Sequence, residues 1–129
     1  VLIGDVRLGH ECLIAPGVSI RADFGPVIIG DRSSVQDNSV IHVYPGSESV
    51  IGNDVTVAHG VILHDVHIHD RCMIGIGAII LFNVVCEEDV FVSVGSLVPR
   101  GMRVPAGIEA YRYLCRQYLA TMKTITESL

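Results

Sequence analysis

The stretch Ile51-Gly52-Asn53-Asp54-Val55-Thr56-Val57-Ala58-His59-Gly60-Val61-Ile62-Leu63-His64 sets an aliphatic residue at Ile51, Val57 and Leu63, six positions apart. The phase runs outward in both directions. Upstream it passes through Ile3, Leu8, Ile14, Ile20, Ile29, Val35 and Ile41, and downstream through Ile68, Ile74, Ile80, Cys86, Val92 and Val98. Most steps are six residues, while Ile3 to Leu8 and Leu63 to Ile68 are five. Two are long, nine from Ile20 to Ile29 and ten from Ile41 to Ile51. A second small or aliphatic residue often follows four positions later, as at Cys12, Val18, Ser33, Ser39, Val55, Val61, Cys72, Ala78, Val90 and Ser96.

A period of six is neither helical nor simple strand alternation. It fits a short strand followed by a tight corner. Three such units form one triangular coil, and stacked coils form an all-β parallel β-helix with an aliphatic column inside. Glycine is expected at corners whose dihedrals other residues resist. A sandwich of short strands would not hold this phase from Ile3 to Val98.

Composition narrows the alternatives. Half of the 129 residues are apolar and 18% are charged, which excludes a disordered chain. Aromatic residues are 5% and Trp is absent, so the core must be aliphatic. The net charge is −5 and no basic stripe is present, which argues against nucleic-acid binding. The longest apolar stretch, Met73 to Phe82, contains two Gly and is too short for a membrane span. Cys12, Cys72, Cys86 and Cys115 are widely spaced, as buried small hydrophobes of a cytoplasmic protein would be. No secretory signal is legible, although Val1 is not a natural start.

The repeat stops near Val104-Pro105. From Ile108 onward Ala110, Leu114, Tyr118, Thr121, Met122 and Ile125 lie three or four apart, with Tyr111, Cys115 and Leu119 widening the stripe. The expected organisation is therefore a β-helix over 1–107 and one amphipathic C-terminal α-helix over 108–129.

The phase also groups chemistry. Ile20, Ile41 and Leu63 are the third rungs of successive coils, so their successors Arg21, His42 and His64 share an outward column. Neighbouring strands are about 4.8 Å apart. Two imidazoles on one zinc hold their nitrogens roughly 3.3 Å apart, within reach of side chains at that spacing. His59 falls elsewhere, two residues after Val57, and a neighbouring copy could bring it to the pair. That arrangement predicts a homotrimer with a metal between subunits. Three neutral imidazoles leave one position for water, the pattern of a catalytic site. The alternative is three surface histidines that only make hydrogen bonds. His10, His67 and His69 do not join the column and read as solvated.

The ordered set Arg21-Ala22-Asp23-Phe24-Gly25, Val35-Gln36-Asp37-Asn38, Ile41-His42, Val57-Ala58-His59 and Leu63-His64 resembles the γ-class carbonic anhydrase family. Ile74-Gly75-Ile76-Gly77-Ala78 and Gly95-Ser96-Leu97-Val98 continue the likeness, which covers about residues 1–106. Within the family the sequence is most similar to the small bacterial and archaeal phenylacetate-degradation and carnitine-operon types. The resemblance implies a left-handed β-helix and reversible hydration of CO2 to bicarbonate by metal-bound hydroxide. Zn2+ is the implied metal, with Fe2+ or Co2+ also able to accept this donor set. His42 and His64 would be ligands from one subunit and His59 from the next. Gln36 would hydrogen-bond the metal-bound solvent, Arg21 would lie beside the site, and Asp37 would pair with such an arginine across the interface. Tyr111 matches a tyrosine that reaches the metal pocket in several members. Arg21, Asp23 and Asp37 read equally well as an ion network that holds the trimer.

Two departures bear on rate. Phe24 stands where the archetype has a glutamate, and Pro45 takes the place of its proton-shuttling glutamate, which leaves Glu48 as the acid in a short loop. Pro105-Ala106-Gly107 also runs straight into Ile108, where the family carries a connecting stretch. Other expectations remain open beside carbonic anhydrase: an acyl-CoA thioesterase, a hexapeptide acyltransferase, and a non-catalytic trimeric scaffold.

Overall fold

The computed structural model describes residues 1–106. The expected helix over 108–129, with Tyr111 and Cys115, lies outside the described residues. Fifteen strands follow one another: β1 Leu2–Leu8, β2 Leu13–Ile14, β3 Ser19–Ile29, β4 Ser34–Val35, β5 Val40–His42, β6 Ser49–Ile51, β7 Thr56–Val57, β8 Ile62–His64, β9 Val66–Ile68, β10 Met73–Ile74, β11 Ile79–Ile80, β12 Val84–Cys86, β13 Phe91–Val92, β14 Leu97–Val98 and β15 Arg103–Val104. No helix is long and apolar enough among the described residues to cross a membrane.

Every strand pair is parallel, and the pairs form three ladders. β2, β4, β7, β10 and β13 make the first. β5, β8, β11 and β14 extend the second from the Ser19–Arg21 end of β3, and β6, β9, β12 and β15 extend the third from its Val27–Ile29 end. β3 therefore turns a corner and belongs to two faces of one parallel β-solenoid.

The register reproduces the six-residue phase. Ile20 stacks on Ile41 and Leu63, then Ile80 and Val98. Ile29 stacks on Ile51, Ile68, Cys86 and Val104. Val35 stacks on Val57, Ile74 and Val92. All of these are essentially fully buried. The core is thus columns of branched aliphatics, which suit short, closely paired strands.

The second column, four residues later, holds buried hydroxyls as well as aliphatics. Ser33 donates to the Gly52 carbonyl at 2.7 Å and accepts from the Val55 amide at 3.0 Å. Ser39 does the same with Ala58 and Val61. Each hydroxyl joins two coils, so its burial leaves nothing unpaired. Cys72 and Cys86 are buried free thiols, and burial pushes them up to about 11 and about 12, where a thiol is inert.

Two expectations need correction. Leu2, not Ile3, pairs with Ile20, while Ile3 pairs with Arg21 and is exposed. The register of β1 shifts between Gly4 and Val6, because β3 carries extra residues at its corner and the end coil must step across them. Nor is glycine the general corner residue. One corner column has positive φ at Gly17, Asn38, Gly60, Gly77 and Gly95, but another has it at Glu11, Arg32, Asp54, Arg71 and Asp89. In that second column acids and arginines alternate, with Arg32 bonded to Asp54 and Arg71 to Asp89, both at 2.7 Å. Cross-coil ion pairs thus accompany the strained backbone there.

Leu63 sits at the middle of its column. Leu63→Ala should lower unfolding stability by about 2–5 kcal/mol, measured as a reduced urea midpoint with an unchanged denaturant slope.

Candidate metal site

All departures from the six-residue step fall at one corner, where the second ladder passes into the third. The nine-residue step from Ile20 leaves Asp23-Phe24-Gly25-Pro26 outside the register, and the ten-residue step from Ile41 leaves the loop 43–48. The five-residue step from Leu63 instead tightens the chain at Asp65, which takes φ 52°. Two bulging corners and one tight one surround the ends of β5 and β8.

His42 and His64 are register partners at those ends, with Arg21 next in the same column. The Nδ1 of His42 lies 3.2 Å from the Nε2 of His64. The other nitrogen of each ring faces a carboxylate. His42 Nε2 is 3.1 Å from Asp23 Oδ1, and His64 Nδ1 is 3.2 Å from Asp65 Oδ2. A carboxylate only accepts, so these contacts place the ring protons on His42 Nε2 and His64 Nδ1. The facing nitrogens then both present lone pairs to one point. Such a pair is not a hydrogen bond between neutral rings; the two nitrogens could hold a cation, at a spacing that one zinc would impose.

The carboxylates are themselves held. Arg21 donates to Asp23 at 2.7 Å and is the main reason its carboxyl sits below the usual carboxylate range; His42 adds a smaller push the same way. Asp65 is 5% exposed, and its second oxygen accepts the Tyr44 amide at 2.6 Å. Aromatic rings close the sides. Phe24 lies 5.7 Å from the His42 ring, Phe82 4.4 Å and Tyr44 5.7 Å from that of His64.

His59 stands at the opposite corner of the same face, where the first ladder passes into the second. β8 runs between it and His64. Its Nδ1 is 3.1 Å from Asp37 Oδ2, leaving Nε2 toward solvent, and the ring is about half exposed. Gln36 and Asp37 share this corner, since Val35 pairs with Val57. The chain therefore places two histidines together at one corner and a third at another. Among the described residues no group of three or more His, Cys, Asp or Glu is placed to hold a metal within one chain.

Other expected residues distribute as follows. Arg21 bonds to Asp23 of its own chain, and Asp37 to His59 of its own chain. His10, His67 and His69 are exposed. Glu48 lies 3.7 Å from His67 and lines a groove with Phe24, Gly25, Pro26, Gly46 and Ser47. Asp65, Tyr44 and Phe82 are additions that periodicity does not single out. The sequence signal for Asp65 is the short step from Leu63 to Ile68, which forces the residue after His64 into the corner, and for Tyr44 the long step from Ile41 to Ile51; Phe82 has none.

No family model matches the chain. Among curated proteins it is 37% identical over 112 residues to γ carbonic anhydrase 1 of Arabidopsis thaliana mitochondria, covering 82% of this chain and 41% of that protein. It is 43% identical over 121 residues to protein YrdA of Escherichia coli, covering 88% and 64%. The chain thus spans between two fifths and two thirds of the length of these curated relatives. Among solved structures, a Bacillus cereus protein assigned provisionally as an acetyltransferase superposes with a TM-score of 0.79 at 34% identity, over 98% of this chain and 85% of that one. The repeat, the register and these likenesses together establish that the chain belongs to the γ-carbonic-anhydrase-like family of hexapeptide-repeat proteins.

Proposed function

We propose that this chain is a metal-dependent carbonic anhydrase of the γ type, hydrating CO2 reversibly at a site completed between the subunits of a homotrimer. The observation that carries this reading is the 3.2 Å approach of His42 Nδ1 to His64 Nε2, each ring backed by a carboxylate on its other nitrogen. The third donor would be His59 of the partner subunit, already oriented by Asp37 within its own chain. The surface between the two corners supports such a contact. Val40, Ile62 and Leu97 are exposed on the shared face, and Ile76 and Val94 are exposed along the His59 corner. An apolar strip of this kind marks an interface. A contact joining two different corners is heterologous, and a ring of three would be a simple closed form of it.

Bound Zn2+, or Fe2+ or Co2+ in its place, would supply a Lewis acid that brings the ionisation of water close to neutrality. The protein's own groups do the rest. Asp23 and Asp65 fix the tautomers of His42 and His64, and Arg21 keeps Asp23 ionised. Gln36 would arrive with His59 at the same corner and orient CO2 or the attacking oxygen by its amide. Phe24, Tyr44 and Phe82 pack beside the pair and would shield it in part from bulk water. Asp23, its pKa lowered by Arg21, is a weak proton acceptor. Glu48 is then the remaining carboxylate for accepting the proton and passing it to buffer, and turnover should be slow. A role for Tyr111 rests on the family resemblance. A cytoplasmic location is the reading that fits the free thiols.

A second reading, acyl-CoA hydrolysis or acyl transfer, is favoured by the Bacillus cereus relative and by the absence of glutamate at Phe24 and Pro45.

Stopped-flow CO2 hydration by zinc-loaded protein tests the first reading. A rate above that of buffer is expected; a rate equal to buffer with zinc bound contradicts it. His59→Ala should remove bound metal while leaving the β-solenoid folded. Asp65→Asn should weaken zinc binding by about 10- to 100-fold in a chelator competition, and unchanged affinity would show that the carboxylate does not orient the ring.

A further inference from the structure

Beside the histidine pair lies a cleft of about 350 Å³ lined by Tyr44, Ser47, Asp65, Phe82, Asn83 and Arg100. Its volume falls in the range of sites for small organic ligands and exceeds what three-atom CO2 requires. The corners that build it are stacked in order. The Asn83 amide donates to the Asp65 carbonyl at 2.9 Å, and the Gly101 amide to the Phe82 carbonyl at 2.8 Å. Asp65, Phe82 and Arg100 therefore occupy three successive coils, and the cleft runs about 10 Å along the axis at the usual strand spacing.

Its two ends differ chemically. At one end the Phe82 ring packs 4.4 Å from that of His64 and meets Tyr44 edge-on at 5.6 Å, giving an apolar wall against the proposed reacting centre. Asp65 also lines this end, but both its oxygens are engaged, by the Tyr44 amide and by His64. At the other end stands Arg100. Arg7, Arg21, Arg32, Arg71 and Arg103 all have carboxylate partners. Arg100 has none among the described residues. A guanidinium fork matches a carboxylate bidentately, and the adjacent Asn83 amide offers further donors.

We propose that this cleft binds a small carboxylate with a flat apolar body, the carboxylate on Arg100 and the body against Tyr44 and Phe82. The inference deepens the reading of His42 and His64 as the reacting centre, since the bound body would point at His64. It names the class of ligand held beside that centre as larger than bicarbonate and anionic at its far end.

Benzoate is the probe, titrated calorimetrically into the full-length zinc-loaded protein and into the same protein after chelation. Binding should survive chelation, fall at least tenfold in Arg100→Gln with zinc content unchanged, fall several-fold in Phe82→Leu, and be absent for the neutral isostere benzamide. Binding lost on chelation but insensitive to Arg100→Gln would place the carboxylate on the metal and overturn the proposal. No benzoate binding to folded wild-type protein would also overturn it. These outcomes are independent of CO2 hydration, so a protein that binds benzoate through Arg100 yet fails the hydration assay refutes only the carbonic anhydrase reading.

Discussion

Parallel pairing from coil to coil, in strict register, is the constraint on which everything else rests. It holds successive coils about 4.8 Å apart and sorts residues into columns. An inward column must be aliphatic at every level, as Ile20, Ile41, Leu63, Ile80 and Val98 are. The same rule applied outward brings His42 directly against His64. Core and candidate site are two faces of one periodic arrangement. A slip of one residue in β5 or β8 would expose a core aliphatic and separate the imidazoles together.

The carboxylate partners of the paired histidines collect where the repeat is broken. The nine- and ten-residue steps after Ile20 and Ile41 supply Asp23 and Phe24 on one side and Tyr44 on the other, while the five-residue step after Leu63 buries Asp65 beneath His64. Further along the axis the same corner carries Phe82 and Arg100. Stability is maintained by the regular columns, so the irregular corner is free to hold charged and aromatic groups that a packed interior would exclude.

Much of this was legible before any coordinates. The phase count alone orders the columns and pairs His42 with His64, because a fixed period turns sequence distance into spatial neighbourhood. It misplaced Ile3, since the end coil adjusts to the bulge in β3 and no periodic count registers a bulge in the partner strand. It overstated glycine at the corners, where alternating charges at Glu11, Arg32, Asp54, Arg71 and Asp89 accompany left-handed backbone. The partners of the histidines were hidden for a different reason. Asp23 and Asp65 act through side-chain direction at irregular corners, and Phe82 and Arg100 come from coils remote in sequence from His64.

The central claim, a cation site divided between the two-histidine corner of one subunit and the one-histidine corner of the next, is tested most directly by subunit mixing. His42→Ala and His59→Ala proteins are each expected to bind no zinc. Mixed trimers formed by co-refolding contain one interface that joins an intact pair to an intact His59, and should recover one zinc per trimer. Metal bound by either variant alone, or none recovered in confirmed mixed trimers, would contradict a site shared in this way.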